Sequence, residues 1–166
     1  MITPPIPSDE EIRLQALRDL LLLDTPPEER FDRITRFAMQ EFEVPIATVS
    51  FIDRDRQWFK SQFGLDACET SRDLSFCGHA IVERELLLVP DALKDPRFHD
   101  NPFVSGPPFV RFYAGAVLRM PYGHSLGTLC IMDRRPREFD RLGRSILCSL
   151  RDLVVDELVR REEANA

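Results

Sequence analysis

The sequence predicts an α+β domain, a mostly antiparallel sheet with helices gathered against it. Three observations predict it. Two β-rich runs, Ile46–Ile52 and Gln57–Phe63, are joined by the short charged turn Asp53-Arg54-Asp55-Arg56, the pattern of an antiparallel hairpin. A second pair, Phe112–Met120 and Gly127–Asp133, folds around Pro121-Tyr122-Gly123-His124-Ser125. Helical periodicity brackets these strands, before Pro45 and after Asp140.

Each element follows from local chemistry. After a proline-rich start, Ser8 or Asp9 caps a helix whose first turn carries Glu10 and Glu11, where acids suit the macrodipole. Its apolar stripe is Ile12, Leu14, Leu17, Leu20, Leu21 and Leu23, and it stops at Asp24-Thr25-Pro26-Pro27. A second helix runs from about Glu28 to Phe42, with Phe31, Ile34, Ala38 and Phe42 three or four apart. Residues 1–27 thus read as an N-terminal helical extension and 28–166 as a single domain. Along the second strand, strict alternation sets Trp58, Lys60 and Gln62 against Phe59, Ser61 and Phe63. Ser75 caps a short helix to Arg84, Leu86–Val89 is a strand, and Asp95-Pro96-Arg97-Phe98 a brief helical turn. Residues 99–111 form a structured loop rich in proline and aromatic residues. From Asp140 to about Glu163 runs a long amphipathic helix whose seam continues through Leu142, Ile146, Leu150 and Leu158. Its distal part, Val155 to Val159, is free to meet a second copy.

Composition bounds the partners. A chain of 166 residues buries roughly 70% of the surface its unfolded form exposes and needs no staples to fold. Lys60 and Lys94 are the only lysines among 22 basic residues, and the arginines are scattered among 28 acids. With a net charge of −6 and no basic stripe, the chain is not built to neutralise a nucleic-acid backbone. Neither the start, MITPPIPSDEEIR, nor the Leu20–Leu23 run reads as a signal peptide or a membrane span. Four cysteines in a core-forming chain read as reduced thiols, which places the protein in the cytoplasm.

The stretch Ser75-Phe76-Cys77-Gly78-His79-Ala80 sets a thiol two residues from an imidazole. On a helix, at about 100° per residue, the two point about 200° apart. They cannot converge to the reach of about 2.6–3.2 Å that a nucleophile–base dyad needs. With three histidines in the chain, the zinc-binding spacings are absent as well. Gly78 lets the helix approach the sheet, with Cys77 buried and His79 on the opposite side. The pair reads as wall rather than catalyst.

The order of elements, with Phe31-Asp32-Arg33-Ile34-Thr35, Val44-Pro45-Ile46-Ala47, Asp55-Arg56-Gln57-Trp58-Phe59, Ser75-Phe76-Cys77-Gly78-His79, Pro90-Asp91-Ala92, Asp95-Pro96-Arg97-Phe98 and Gly127-Thr128-Leu129-Cys130, resembles the GAF domain family. The resemblance covers about residues 24–155. It is strongest to bacterial sensor modules found alone or ahead of histidine kinase and diguanylate cyclase output domains. It implies a six-stranded antiparallel sheet with terminal helices on one face and a helix- and loop-covered ligand pocket on the other. It also implies a non-enzymatic module that binds a small molecule and signals to an output partner through its terminal helices or a homodimer interface.

Candidate pocket residues are Trp58, Phe76, Cys77, His79, Asp91, Arg97, Phe98, Phe109, Phe112 and Tyr113, a mostly apolar set with a few polar groups. No resident cofactor or metal is expected. The pattern of the cyclic-nucleotide-binding members is absent, and the adjacent Cys-His of bilin carriers is broken by Gly78. The chain also resembles free methionine-R-sulfoxide reductase at Cys77-Gly78 and near Cys68, but no cysteine lies between 77 and 130, where Ser105 stands. That leaves Cys68 and Cys77 as an alternative redox pair, a thiol switch or a degenerate reductase.

Overall fold

Pairing of the two hairpins through their first and last strands builds the platform. The computed structural model describes residues 1–166. Its strands are β1 (Ile46–Ile52), β2 (Arg56–Phe63), β3 (Glu69–Ser71), β4 (Leu86–Val89), β5 (Phe112–Arg119) and β6 (Ser125–Asp133). They form one six-stranded sheet in the order β3-β2-β1-β6-β5-β4, antiparallel throughout. Both faces are covered, so every residue of the central β1 is buried.

The helices are α1 (Glu10–Asp19), α2 (Glu29–Phe42), α3 (Phe76–Ala80), α4 (Pro102–Ser105) and α5 (Arg141–Asn165). On one face, Leu17 and Leu20, Phe31 and Ile34 of α2, and Leu147, Val154 and Leu158 of α5 pack against Val49, Phe51, Trp58, Phe112 and Ala114 of the sheet. On the other face a smaller cluster joins Phe76, Ala80, Phe98, Val104 and Val110 to Tyr113 and Cys130.

Several sequence expectations shift. The first helix ends at Asp19, because Leu21 and Asp24 take left-handed backbone conformations (φ 52° and 63°). Leu22 is buried, while Ile12 and Leu21 are exposed. The freed carbonyls of Leu20 and Leu21 accept hydrogen bonds from Arg161 and Asn165 of α5, which satisfies the end of the helix from outside. Leucines of the extension therefore sit in the main core. Asp9 occupies the cap position without capping and instead meets His124 Nδ1 at 2.6 Å.

Strict alternation in β2 fails at a bulge. Val49 pairs with Ser61 but Ser50 with Phe59, which leaves Lys60 as the extra residue. Trp58 and Ser61 consequently share the helix side, where Ser61 donates to Asp32 of α2 at 2.6 Å. The buried Lys60 reaches the Pro26 carbonyl at 2.6 Å and Glu28 at 2.7 Å. β3 and α4 are three and four residues long, and β3 carries no apolar side chain to betray it. α3 stops at Ala80, short of Arg84. Gly78 faces the N-terminal segment rather than the sheet, since a Cβ there would lie 2.9 Å from Pro4 Cγ.

Candidate functional site

The small cluster is a roof, and it does not close fully on the strands. Between them lies a cavity of about 370 Å³. Its floor is Thr48 of β1, Gln57 and Phe59 of β2, Tyr113 of β5, and Cys130 and Met132 of β6. The loop Gly64–Ala67 and Thr70 form one wall, and Phe103, Pro107, Pro108 and Val110 another. Ser75, Phe76 and Cys77 descend from above, with Asp66 and Arg134 at the exposed mouth.

Capping side chains hold the roof in place. Ser75 accepts from Gly78 N at 3.0 Å and donates to the Arg72 carbonyl at 2.6 Å, which fixes the entry to α3. Asn101 caps α4 through Phe103 N at 2.9 Å and donates to the Leu74 carbonyl at 2.9 Å, tying the two roof segments together. Phe98 stacks on Phe76 with ring centroids 4.1 Å apart and planes 4° from parallel.

At the floor, polar groups gather in an otherwise apolar place. Cys77 Sγ meets Thr128 Oγ1 at 2.9 Å and Tyr113 Oη at 3.2 Å, and it accepts from Ser50 Oγ at 3.2 Å. Thr48 Oγ1 and Cys130 Sγ are 2.9 Å apart, and Cys77 and Cys130 belong to the same buried cluster. Tyr113 reaches this cluster by lying over Gly115, where a Cβ would fall 2.1 Å from the phenolic oxygen. Burial opposes charge throughout and pushes the Tyr113 phenol well above its ordinary range. For the thiols, burial acts against ionisation while the neighbouring Cys130 thiol and hydrogen bonds from Ser50, Thr128 and Tyr113 outweigh it at Cys77. The first proton to leave the pair therefore leaves Cys77, and Cys130, beside it and buried, is held well above the usual thiol range. No cation reaches the floor. It suits a largely apolar guest that carries a neutral polar group.

The structure brings together only part of the sequence-derived set. Phe76, Cys77 and Tyr113 line the cavity. Phe98 and His79 stand one layer back: His79 packs edge-on to Phe98 at 4.9 Å, and its Nε2–H donates to the Ile2 carbonyl at 3.0 Å. Burial lowers the His79 pKa, partly offset by that carbonyl. Cys77 and His79 do diverge, one to the sheet and one to the N-terminal segment. Trp58 and Phe112 belong to the opposite face of the sheet, in the helix-side core. Asp91 caps the turn Ala92–Lys94, Arg97 pairs with Asp95 at 2.8 Å, and Phe109 is exposed. Cys68 is exposed and opens on a separate groove with Thr25, Trp58 and Lys60, so its side chain does not share a cavity with Cys77.

Thr48, Thr70, Phe103, Cys130 and Arg134 escaped the sequence reading as pocket residues. Alternation in β1 and β6 separates two faces without naming the one that meets the roof. Cys130 and Thr48 lie directly opposite in the β1–β6 register, a pairing only long-range contacts reveal. No group of three or more His, Cys, Asp or Glu side chains gathers as a metal site, and no helix is long and apolar enough to cross a membrane.

The sequence profile of the GAF domain matches residues 26–157. A cyclic di-GMP phosphodiesterase of Pseudomonas aeruginosa is 47% identical over 137 residues, which is 82% of this chain but 23% of that protein. The chain thus spans about a quarter of the length of this relative. Among solved structures, the GAF domain of a phosphoenolpyruvate-protein phosphotransferase from Coxiella burnetii superposes with a TM-score of 0.70 at 14% identity, covering 92% of this chain and 95% of that one. Free methionine-R-sulfoxide reductase from Neisseria meningitidis superposes with a TM-score of 0.67 at 13% identity, covering 99% and 98%. At such identities the likeness is one of fold.

Proposed function

Because the chain belongs to the GAF domain family, a sensory fold, we propose that it is a non-enzymatic regulatory module that takes a small molecule between roof and sheet. The observation that carries this reading is the 370 Å³ cavity over a hydrogen-bonding floor. Its size is at the lower end of small-molecule sites, roughly 300–1,000 Å³, and its lining mixes apolar walls with a few convergent polar groups.

Signal output runs through the helices. β6 carries Cys130 and Met132 on the cavity floor and leads, seven residues after its end, into α5. A guest that presses on β6 shifts the register of α5 against α2. We assign a homodimer interface to these helices, where Phe37 and Leu153 are exposed beside Arg33, Arg160 and Asp156. Val155 and Val159, the stretch expected to pair, are half-buried against the chain's own core. By analogy with the Pseudomonas relative, the output partner is an enzyme of cyclic dinucleotide turnover, and the site of action is the cytoplasm.

The test is thermal unfolding with a panel of small, mostly apolar metabolites, on the wild type and on Ala67→Trp, which plugs the mouth. A guest at about one hundred times its Kd adds ~2.7 kcal/mol, about 5–10 °C for a domain of this size. Stabilisation of the wild type that the plugged variant lacks supports the reading. Equal responses from both proteins overturn it.

A further inference from the structure

Two of the groups that line the cavity, Cys77 and Cys130, are buried thiols whose chemistry goes beyond the neutral hydrogen bonding a guest would use. Cys77 hangs from α3 in the roof, and Cys130 stands on β6, a central strand of the sheet. They come from positions far apart in the chain, yet both line the cavity, and Cys77 Sγ lies 2.9 Å from the hydroxyl of Thr128, two residues along β6 from Cys130 and on the same face of the strand. Cys77 Sγ is further surrounded by the hydroxyls of Ser50, Tyr113 and Thr128, all within 2.9–3.2 Å. Those hydroxyls solvate a thiolate and a leaving oxygen equally well. The cavity gives a molecule the size of a peroxide a path to sulfurs that the outer surface hides.

We propose that Cys77 and Cys130 form a peroxide-sensitive dithiol that locks the roof onto the sheet. The Cys77 thiolate attacks one oxygen of hydrogen peroxide and the O–O bond breaks. The departing hydroxide takes up a proton to become water, and Cys77 is left as a sulfenic acid. The Cys130 sulfur then attacks the Cys77 sulfur, the S–O bond breaks, and the Cys130 proton leaves with the hydroxyl as a second water. Two thiols lose two electrons and two protons, and one peroxide becomes two waters. An external thiol such as dithiothreitol reverses the bond. The bridge would tie α3 to the strand that leads into α5, so oxidation and signal output share one element. This chemistry holds whether or not an organic guest also uses the cavity, and it replaces Cys68 with Cys130 as the partner of Cys77.

The experiment treats the folded wild-type chain with hydrogen peroxide, blocks remaining thiols with N-ethylmaleimide in denaturant, and maps peptides without reduction. The expected result is a Cys77–Cys130 cross-linked peptide, a chain lighter by two hydrogens, Cys68 still alkylated, and recovery of both thiols with dithiothreitol. In Cys130→Ser, which retains shape and polarity, peroxide with dimedone should label Cys77. Cys68→Ser should leave the cross-link unchanged. Alkylation of both Cys77 and Cys130 after the peroxide treatment overturns the proposal, as does a Cys77–Cys68 bridge. Should Cys130→Ser fail to fold, the wild-type map alone decides.

Discussion

Truncation of Phe98 to alanine should unfasten the roof. The ring is 1% exposed, lies face to face on Phe76 at 4.1 Å, meets His79 edge-on at 4.9 Å, and has the Arg97 guanidinium 5.1 Å above it. Phe→Ala in a packed core costs about 3–5 kcal/mol, of which about 0.5–1.5 is the aromatic pairing itself. The roof is built largely of loops and can partly collapse into the space, which puts the loss at about 3–4 kcal/mol. A domain with a total stability of about 5–15 kcal/mol survives that loss, so the variant remains measurable. Equilibrium urea unfolding followed by far-UV circular dichroism and by the fluorescence of Trp58, the sole tryptophan, reads the change. Ile12→Ala is the control, since Ile12 is 62% exposed on α1 and should change stability by no more than ~0.5 kcal/mol. Indistinguishable midpoints for the two variants would refute the assignment of Phe98 as the pin of the roof.

Other consequences can be measured as directly. Gly127→Ala would place a Cβ 1.9 Å from the Ser50 carbonyl oxygen, so the β1–β6 pairing must shift; a loss above about 3 kcal/mol in urea unfolding, or failure to fold, is expected. Glu10 sits between Arg72 and Arg13, at 2.5 and 3.0 Å. Burial raises its pKa, but the two guanidinium groups lower it from 4.5 to about 2. The folded value is thus below the unfolded one, so the contribution is present above pH 4.5 and lost as pH falls from there to about 2. The ceiling is ~3 kcal/mol, cut to roughly 1–2 by solvent screening, and Glu10→Gln should flatten that limb of the stability–pH curve. Light scattering should give twice the chain mass for the wild type and a smaller species for Phe37→Glu; an unchanged mass would remove the α2–α5 face as the interface.

Much of the architecture was legible from the chain alone because its signals are local. Both hairpins, the Ser75 cap, α2 and α5 follow from periodicity and turn chemistry within a few residues. The site was legible only where a motif marked it, at Phe76, Cys77 and Tyr113. Trp58 was assigned to the pocket because an aromatic residue on a strand looks the same from either face, and the bulge at Lys60 shifts the phase of β2 beyond it. Phe112 and Tyr113 were both proposed, although consecutive strand residues must point to opposite faces. Cys130 is marked in the sequence only as the end of the Gly127–Cys130 motif and not as a pocket residue, since its neighbours Thr48 and Cys77 lie far away in sequence and meet it only once β1, β6 and α3 are assembled. Buried Arg13, which donates to the Ile52 carbonyl at 2.7 Å, likewise follows from tertiary contacts that no helical period announces.

Native mass spectrometry of the freshly purified chain, with solvent extraction of whatever accompanies it, addresses the space beneath α3 most directly. The account predicts a discrete added mass, released by organic solvent, present in the wild type and missing from Ala67→Trp. A wild-type spectrum at the bare chain mass, with no compound rebinding from the extract or the metabolite panel, would contradict it.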